Sequence, residues 1–166
     1  MSRNAPLRRL VFDSYERMAA MPPAHEDDEA RIRRQVSAIA AGIRARDLES
    51  LRPIYAADVV SFDVEPPLQH RGVEAKLANW ARVFAVFEAP DYEVRDLTVA
   101  VSEGLAFAHC FGRLHGRLRN GTATEGMWVR ATFCLRRLDG AWRIVHDQAS
   151  VPFDLPSGRG VTDLEP

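Results

Sequence analysis

His109, Arg130, Thr132 and Asp147 are spaced so that three β-runs joined by tight turns bring them together. The runs are Leu105–His115, Thr122–Arg137 and Ala141–Val151, separated by Asn120-Gly121 and Asp139-Gly140. Asn-Gly and Asp-Gly favour two-residue hairpin loops because both positions accept positive φ. Such loops set Arg119 opposite Thr122, His109 opposite Thr132, Phe111 opposite Arg130, and Thr132 opposite Asp147. An aspartate beside a histidine fixes the imidazole tautomer and makes it a better base or donor, so His109 and Asp147 could work as an acid–base pair. The same row also reads as a polar ladder satisfied within the sheet. Arg130 on that face needs an anion, which Asp147 or a bound carboxylate would provide.

Phe107, Phe111 and Trp128 share this face, while Ala106, Ala108, Cys110, Val129, Ala131, Phe133, Ile144 and His146 fall on the other. The mixed aromatic and ionisable face is the one expected to line a ligand pocket, with Trp128 and Phe111 as walls and Arg130 and Thr132 holding an oxygen or carboxylate. A three-residue second loop with a bulge would slip the last strand by one and put His146, Gln148 and Ser150 beside Arg130 and Thr132 instead. Asp147 and His146 therefore remain alternatives for the pocket.

These strands need elements to hold them. Glu26–Glu29 is an acidic first turn, and Ile32, Val36, Ile39 and Ile43 follow at helical spacing. Asp47 reads as the N-cap of a short second helix with Leu48, Leu51, Ile54 and Tyr55 inward, which Pro53 kinks or shortens. Asp58–Val64 alternates as a strand, Pro66-Pro67 breaks it, and Leu68–Arg71 is a short returning strand. Val73, Leu77, Trp80, Phe84 and Phe87 form the stripe of a third helix; Asn79 and Trp80 could reach a pocket, though Trp80 also fits core packing. Ala89-Pro-Asp91 reads as a turn before a strand over Tyr92–Val101. Helices gathered on one face of an antiparallel sheet make an α+β domain.

The 166 residues carry a net charge of −1, 46% apolar and 27% charged side chains, which fits one globular domain and leaves no basic footprint for nucleic acid. No apolar run approaches the roughly 20 residues that span a bilayer. Asp13, Glu16 and Arg17 interrupt any signal-peptide core, so a cytoplasmic location is expected. Cys110 and Cys134 lack CxxC neighbours and fall on opposite faces, as two buried thiols. No HExxH or comparable ligand spacing and no glycine-rich phosphate loop occurs, so neither metal nor cofactor is expected. Residues 1–23 read as an N-terminal arm, 24–153 as the domain and 154–166, with Pro156, Gly158 and Gly160, as a loose tail.

Arg46-Asp-Leu-Glu-Ser-Leu followed by Tyr55-Ala-Ala-Asp58, then Arg71-Gly72, then Asp139-Gly-Ala-Trp142 with His146 and Ser150, occur in an order that resembles the nuclear-transport-factor-two-like superfamily over about residues 26–153. That superfamily includes ketosteroid isomerase, scytalone dehydratase, SnoaL-type polyketide cyclases and a kinase association domain. The resemblance implies a cone-shaped, curved antiparallel sheet packed against three helices around one pocket. Tyr55–Asp63 is similar, without a gap, to the ketosteroid isomerase segment that ends in the general base, which would make Asp63 a base. The position of that family's oxyanion tyrosine is Ile39 here, so steroid isomerisation does not carry over.

The expected activity is a cofactor-independent isomerase, cyclase or dehydratase acting on a small apolar or carboxylate-bearing molecule, with Asp63, His109 and Asp147 catalytic. Arg130, Thr132, Trp128, Phe111, Tyr55, Trp80 and His146 are the expected binding residues. A non-catalytic binding or dimerisation module is the competing expectation. A homodimer through the sheet would cover its free face.

Overall fold

A computed structural model describes residues 23–166; apart from Pro23, the arm expected at residues 1–23 lies outside the described residues. Helix α1 (Pro23–Ala45) begins ahead of the acidic turn and lies against strand β3 (Phe87–Ser102). Its stripe of Ile32, Val36, Ile39 and Ile43 is at most 4% exposed. Each such side chain taken from water contributes roughly 1.5–3 kcal/mol. Asp28 ties the helix to the sheet, accepting from the Arg137 guanidinium and, at 3.1 Å, from the Trp142 indole N–H.

Asp47 caps α2 (Leu48–Leu51), its carboxylate accepting from the N–H groups of Glu49 and Ser50 at 3.0 and 3.1 Å. Pro53 shortens this helix as expected, and the chain passes through a 3₁₀ turn (Arg52–Ile54) straight into β1 (Tyr55–Phe62). After β2 (His70–Arg71), α3 (Val73–Val86) leads into β3, β4 (Leu105–Leu118), β5 (Ala123–Leu138) and β6 (Ala141–Ser150). The sheet runs β2-β1-β6-β5-β4-β3 and is open, with β2 and β3 at its edges. It is mixed, because β1 and β6 pair in parallel while the other neighbours are antiparallel. The segment expected as a turn at Ala89-Pro90-Asp91 belongs to β3; Pro90 is tolerated there because β3 is an edge strand.

Bulges set the registers. The first hairpin loop is Arg119-Asn120-Gly121, closed by the Leu118 N–H donating to the Thr122 carbonyl at 2.8 Å, one residue longer than expected. A bulge at Glu125-Gly126 restores the count, so His109 still faces Thr132 and Phe111 faces Arg130. In β6 Ile144 pairs with Leu135 and His146 with Cys134, leaving Val145 as the extra residue. The second turn has the expected two residues, with Leu138 opposite Ala141, but the Val145 bulge slips the rest of β6 by one. Thr132 therefore faces Gln148 and Arg130 faces Ser150, rather than Asp147 and Ala149. Bulges of this kind also bend a sheet, which gives it a concave face.

The concave face is the one that sequence reading took for the plain side. Ala106, Ala108, Cys110, Ala131 and Phe133 are buried under the helices, while Phe107, His109, Arg130 and Thr132 are exposed on the outside. The reason is space: small side chains let helices approach and still leave a hollow, whereas large aromatics would fill it. Cys110 is buried and Cys134 half-buried, both free and on opposite faces. Within the segment expected as a loose tail at residues 154–166, β7 (Phe153–Asp154) and β8 (Arg159–Gly160) pair as a short hairpin, tied back where the Val161 N–H donates to the Pro152 carbonyl at 2.7 Å. No helix among the described residues is long and apolar enough to cross a membrane.

Candidate functional site

Lys76 lies on the apolar stripe of α3, three residues after Val73 and four before Trp80, so the helix carries its ammonium inward. It is 4% exposed. The parallel pairing of β1 with β6 sets Ser61 beside Asp147, and Lys76 Nζ reaches both, at 2.9 Å to Ser61 Oγ and 2.6 Å to Asp147 Oδ2. Asp63 stands two residues beyond Ser61, at the end of β1, and its Oδ2 lies 3.9 Å from the same ammonium. Its Oδ1 accepts from the Val64 N–H and its Oδ2 from the Asn79 side-chain amide, both at 2.8 Å. Arg82 donates in turn to Asn79 Oδ1 and fixes that amide's orientation.

Above this floor is a cavity of about 420 Å³. Tyr55, Trp80, Tyr92 and Phe133 form its aromatic walls, and Asp63, Glu65, Lys76 and Asp147 are its charged lining. Trp80 meets Tyr92 edge-on, with ring centres 6.4 Å apart. Gly112 makes room for the Tyr92 phenol, because a Cβ there would lie 2.1 Å from its oxygen. The tail reaches the cavity too, through Thr162.

Burial works against the Lys76 ammonium, but Tyr55, Asp147 and Asp63 outweigh it and hold the amine above its ordinary value. Lys76 is thus a cation at neutral pH. Burial pushes the Tyr55 phenol up to about 12, with Lys76 pulling part of the way back. Burial raises Tyr92 as well, so both phenols are neutral donors. The Trp80 N–H approaches the Tyr55 oxygen without reaching hydrogen-bond geometry, and both Trp80 Nε1 and Asp147 Oδ1 are buried without a protein partner.

Asp63, Asp147, Tyr55 and Trp80 are therefore brought together. The remaining expected residues are elsewhere. His109 and Thr132 face each other on the exposed outer side, with the His109 ring stacked on Phe107. Arg130, also exposed, donates to the Val151 carbonyl at 3.0 Å. Trp128 is buried beneath the guanidiniums of Arg95 and Arg113, 4.5 and 4.9 Å from its ring centre, and half-buried Phe111 lies beside Arg95 and Arg130. His146 Nδ1 is 2.7 Å from the Val60 carbonyl, with its ring against Phe62. The expected His109–Asp147 pair is thus separated by the sheet itself: the Val145 bulge turns Asp147 inward while His109 points out.

Sequence reading missed Lys76 and Ser61. The signal for Lys76 was present, since a lysine inside the stripe Val73, Leu77, Trp80 must find a buried anion. No three His, Cys, Asp or Glu side chains converge among the described residues, and the Lys76 ammonium occupies the place between Asp63 and Asp147 where a cation would sit.

The sequence model of the SnoaL-like domain matches residues 32–154. An NTF2-like protein of unknown function from Pseudomonas putida KT2440 is 30% identical, with a TM-score of 0.76, and the match covers 89% of this chain and 100% of that one. An NTF2-like family protein from Streptomyces avermitilis, provisionally named a dehydratase, is 20% identical over 78% of this chain and 99% of that one, with a TM-score of 0.67. An NTF2-like protein with a cystatin-like fold from Novosphingobium aromaticivorans is 18% identical over 81% and 88%, with a TM-score of 0.68. No curated protein matches the chain.

Proposed function

The chain belongs to the SnoaL-like domain family, and from that premise we propose that its cavity binds a small, mostly apolar metabolite and performs cofactor-independent acid–base chemistry on it, as an isomerase, cyclase or dehydratase. The observation that carries this is one cavity of about 420 Å³ whose walls present both the Asp63 carboxylate and the Tyr55 phenol. That volume lies within the usual range for small-molecule sites, about 300–1,000 Å³. Asp63 is the base, oriented by Asn79 and by the Val64 N–H. Tyr55, neutral up to about pH 12, is the donor that stabilises negative charge developing on a ligand oxygen. Lys76 is an ammonium held by Asp147, and so a partner to the carboxylates rather than a base.

The non-catalytic module is the second reading, favoured by one observation: the His109 imidazole, expected to converge with Asp63, is on the outside of the sheet. Ligands are found first, by a thermal-shift screen of aromatic and terpenoid alcohols, ketones and carboxylates, and then assayed for turnover. Asp63→Asn is expected to lower turnover by about 100-fold or more while ligand affinity and unfolding midpoint stay near those of the parent. Unchanged turnover removes Asp63 as base, and a tight ligand that is never converted favours the module.

We also propose a cytoplasmic homodimer joined through the outer face of the sheet, where Phe107 is 49% and Leu105 57% exposed. Phe107→Glu should then convert a dimer into a monomer in sedimentation velocity; a parent protein that sediments as a monomer removes the dimer.

A further inference from the structure

We propose that the segment Thr162–Pro166 is a strap across the mouth of the cavity, and that a ligand enters and leaves by displacing it. This rests on the ligand-binding reading above, and it can be tested without a ligand.

Five residues line the cavity and are also exposed to solvent: Val64 and Glu65 after β1, Gly126 in the β5 bulge, Gln148 on β6, and Thr162. A residue with both properties marks the rim of the mouth. Behind the rim the interior is screened from bulk water, since Ala131 on the cavity wall is 5% exposed. Four rim residues are held by the sheet. Gly126 and Gln148 lie within β5 and β6. Val64 and Glu65 stand between β1 and β2, which pair with each other, and they adjoin Asp63.

Thr162 is held differently. The β7–β8 hairpin turns the chain back, and it is fixed at its base by the bond from the Val161 N–H to the Pro152 carbonyl. Gly160 lies so close to Val151 that a Cβ on it would be 2.9 Å from the Val151 side chain. Beyond Val161 this anchoring stops. Among the described residues, no backbone hydrogen bond of Thr162–Pro166 reaches the body of the domain. What seats the segment is side-chain contact. Thr162, Asp163, Leu164 and Glu165 line a second hollow of about 80 Å³, with Met127 and Trp128 on its far wall. Gly126, Met127 and Thr162 line both spaces, so the segment and the β5 bulge together form the partition between them. Leu164 is 53% exposed, so only part of one leucine is covered here. A segment held in this way opens locally at little cost, whereas moving another rim residue would disturb paired strands or the Asp63 carboxylate.

The test reads access to the cavity with iodoacetamide. Ala131→Cys puts a thiol in the cavity wall, and Cys134→Ser removes the half-buried outer thiol. Cys110, buried and outside the cavity lining, stays as the control. Burial pushes its thiol up to about 11, so it reacts only when the fold itself opens. Labelling at neutral pH, read thiol by thiol by peptide mass spectrometry, is compared between the full chain and one ended at Val161. Shortening should speed labelling of the Ala131→Cys thiol about tenfold or more, with Cys110 labelling and the urea midpoint unchanged. Leu164→Asp keeps the full chain, unseats the segment and should also speed labelling, so it decides the matter where the shortened chain does not fold. Equal rates at the Ala131→Cys thiol overturn the strap and leave the ligand-binding reading in place. Faster labelling of both thiols also overturns it, because the segment then braces the fold instead of guarding the mouth. A ligand screen that finds nothing counts against the ligand-binding reading alone.

Discussion

Lys76 Nζ lies 2.6 Å from Asp147 Oδ2, with the two side chains 5% and 8% exposed, so a helix and a strand are joined beneath the cavity by an ion pair shielded from water. Breaking such a pair on one side leaves the other charge buried alone, at a cost of about 3–5 kcal/mol. Here the cost is raised by the second oxygen of Asp147, which has no protein donor. Lys76→Met should therefore lower stability by about 3–5 kcal/mol in urea unfolding at neutral pH. Lys76→Met combined with Asp147→Leu should recover most of that loss, because both charges then leave together. A single-variant loss under about 1 kcal/mol would show the pair to behave as a solvated surface bridge.

Alkaline stability follows from the same neighbourhood. Burial raises the Tyr55 phenol from 10.0 to about 12, against the pull of Lys76, and burial also raises Tyr92. Lys76 is raised as well, burial opposing and its acidic neighbours prevailing. Each is a group whose folded-state value exceeds its unfolded one. Its contribution is complete below about pH 10, where the unfolded chain still holds the proton, and is lost as pH climbs through the folded value. The urea midpoint should be level from neutral pH to about 10 and then fall, with each group contributing up to about 1.4 kcal/mol per pH unit. Tyr55→Phe should flatten that fall by one group's share. The ultraviolet phenolate signals of Tyr55 and Tyr92 should appear together with unfolding; their appearance near pH 10 in a folded protein would contradict the assignment.

Much of this fold was legible because its signals are local. The stripe from Ile32 to Ile43, the Asp47 cap and the short helix cut at Pro53 each follow from a few neighbouring residues. The pairing of His109 with Thr132 was also expected, although it arises from a longer loop and a bulge that cancel. Two things were not legible. An extra residue at Val145 leaves the alternation of polar and apolar side chains in β6 ambiguous, yet it decides whether Asp147 faces the cavity or the solvent. The other is which face of the sheet the helices cover, since chemical variety along a strand does not by itself distinguish a pocket from an outer surface. In the folded chain the helices lie over the small side chains Ala106, Ala108 and Ala131, and the hollow is a product of their size. Asp63 reaches the site through a resemblance of sequence, whereas Tyr55, expected as an inward residue of the short second helix, is the first residue of β1. Lys76 is readable from its helical spacing, as a lysine within a buried stripe.

Gly126 offers a separable test of the bulges. It has φ +68, and a Cβ there would fall 1.7 Å from the Leu114 carbonyl oxygen, a backbone atom that cannot move alone. Gly104 has nearly the same conformation, φ +69, but a Cβ added to it would meet nothing within 4 Å. Gly104→Ala should therefore lose only the strain of a left-handed backbone, about 1 kcal/mol. Gly126→Ala adds a collision with the neighbouring strand and should lose about 3 kcal/mol or more, since relief requires the bulge to open or the register to slip. Met127 and Val129 follow on the same strand and line the cavity, so this variant should also bind cavity ligands more weakly, whereas Gly104→Ala should bind them as the parent does. Equal losses in equilibrium unfolding for the two alanine variants would mean that the β4–β5 bulge is not what holds the cavity wall in place.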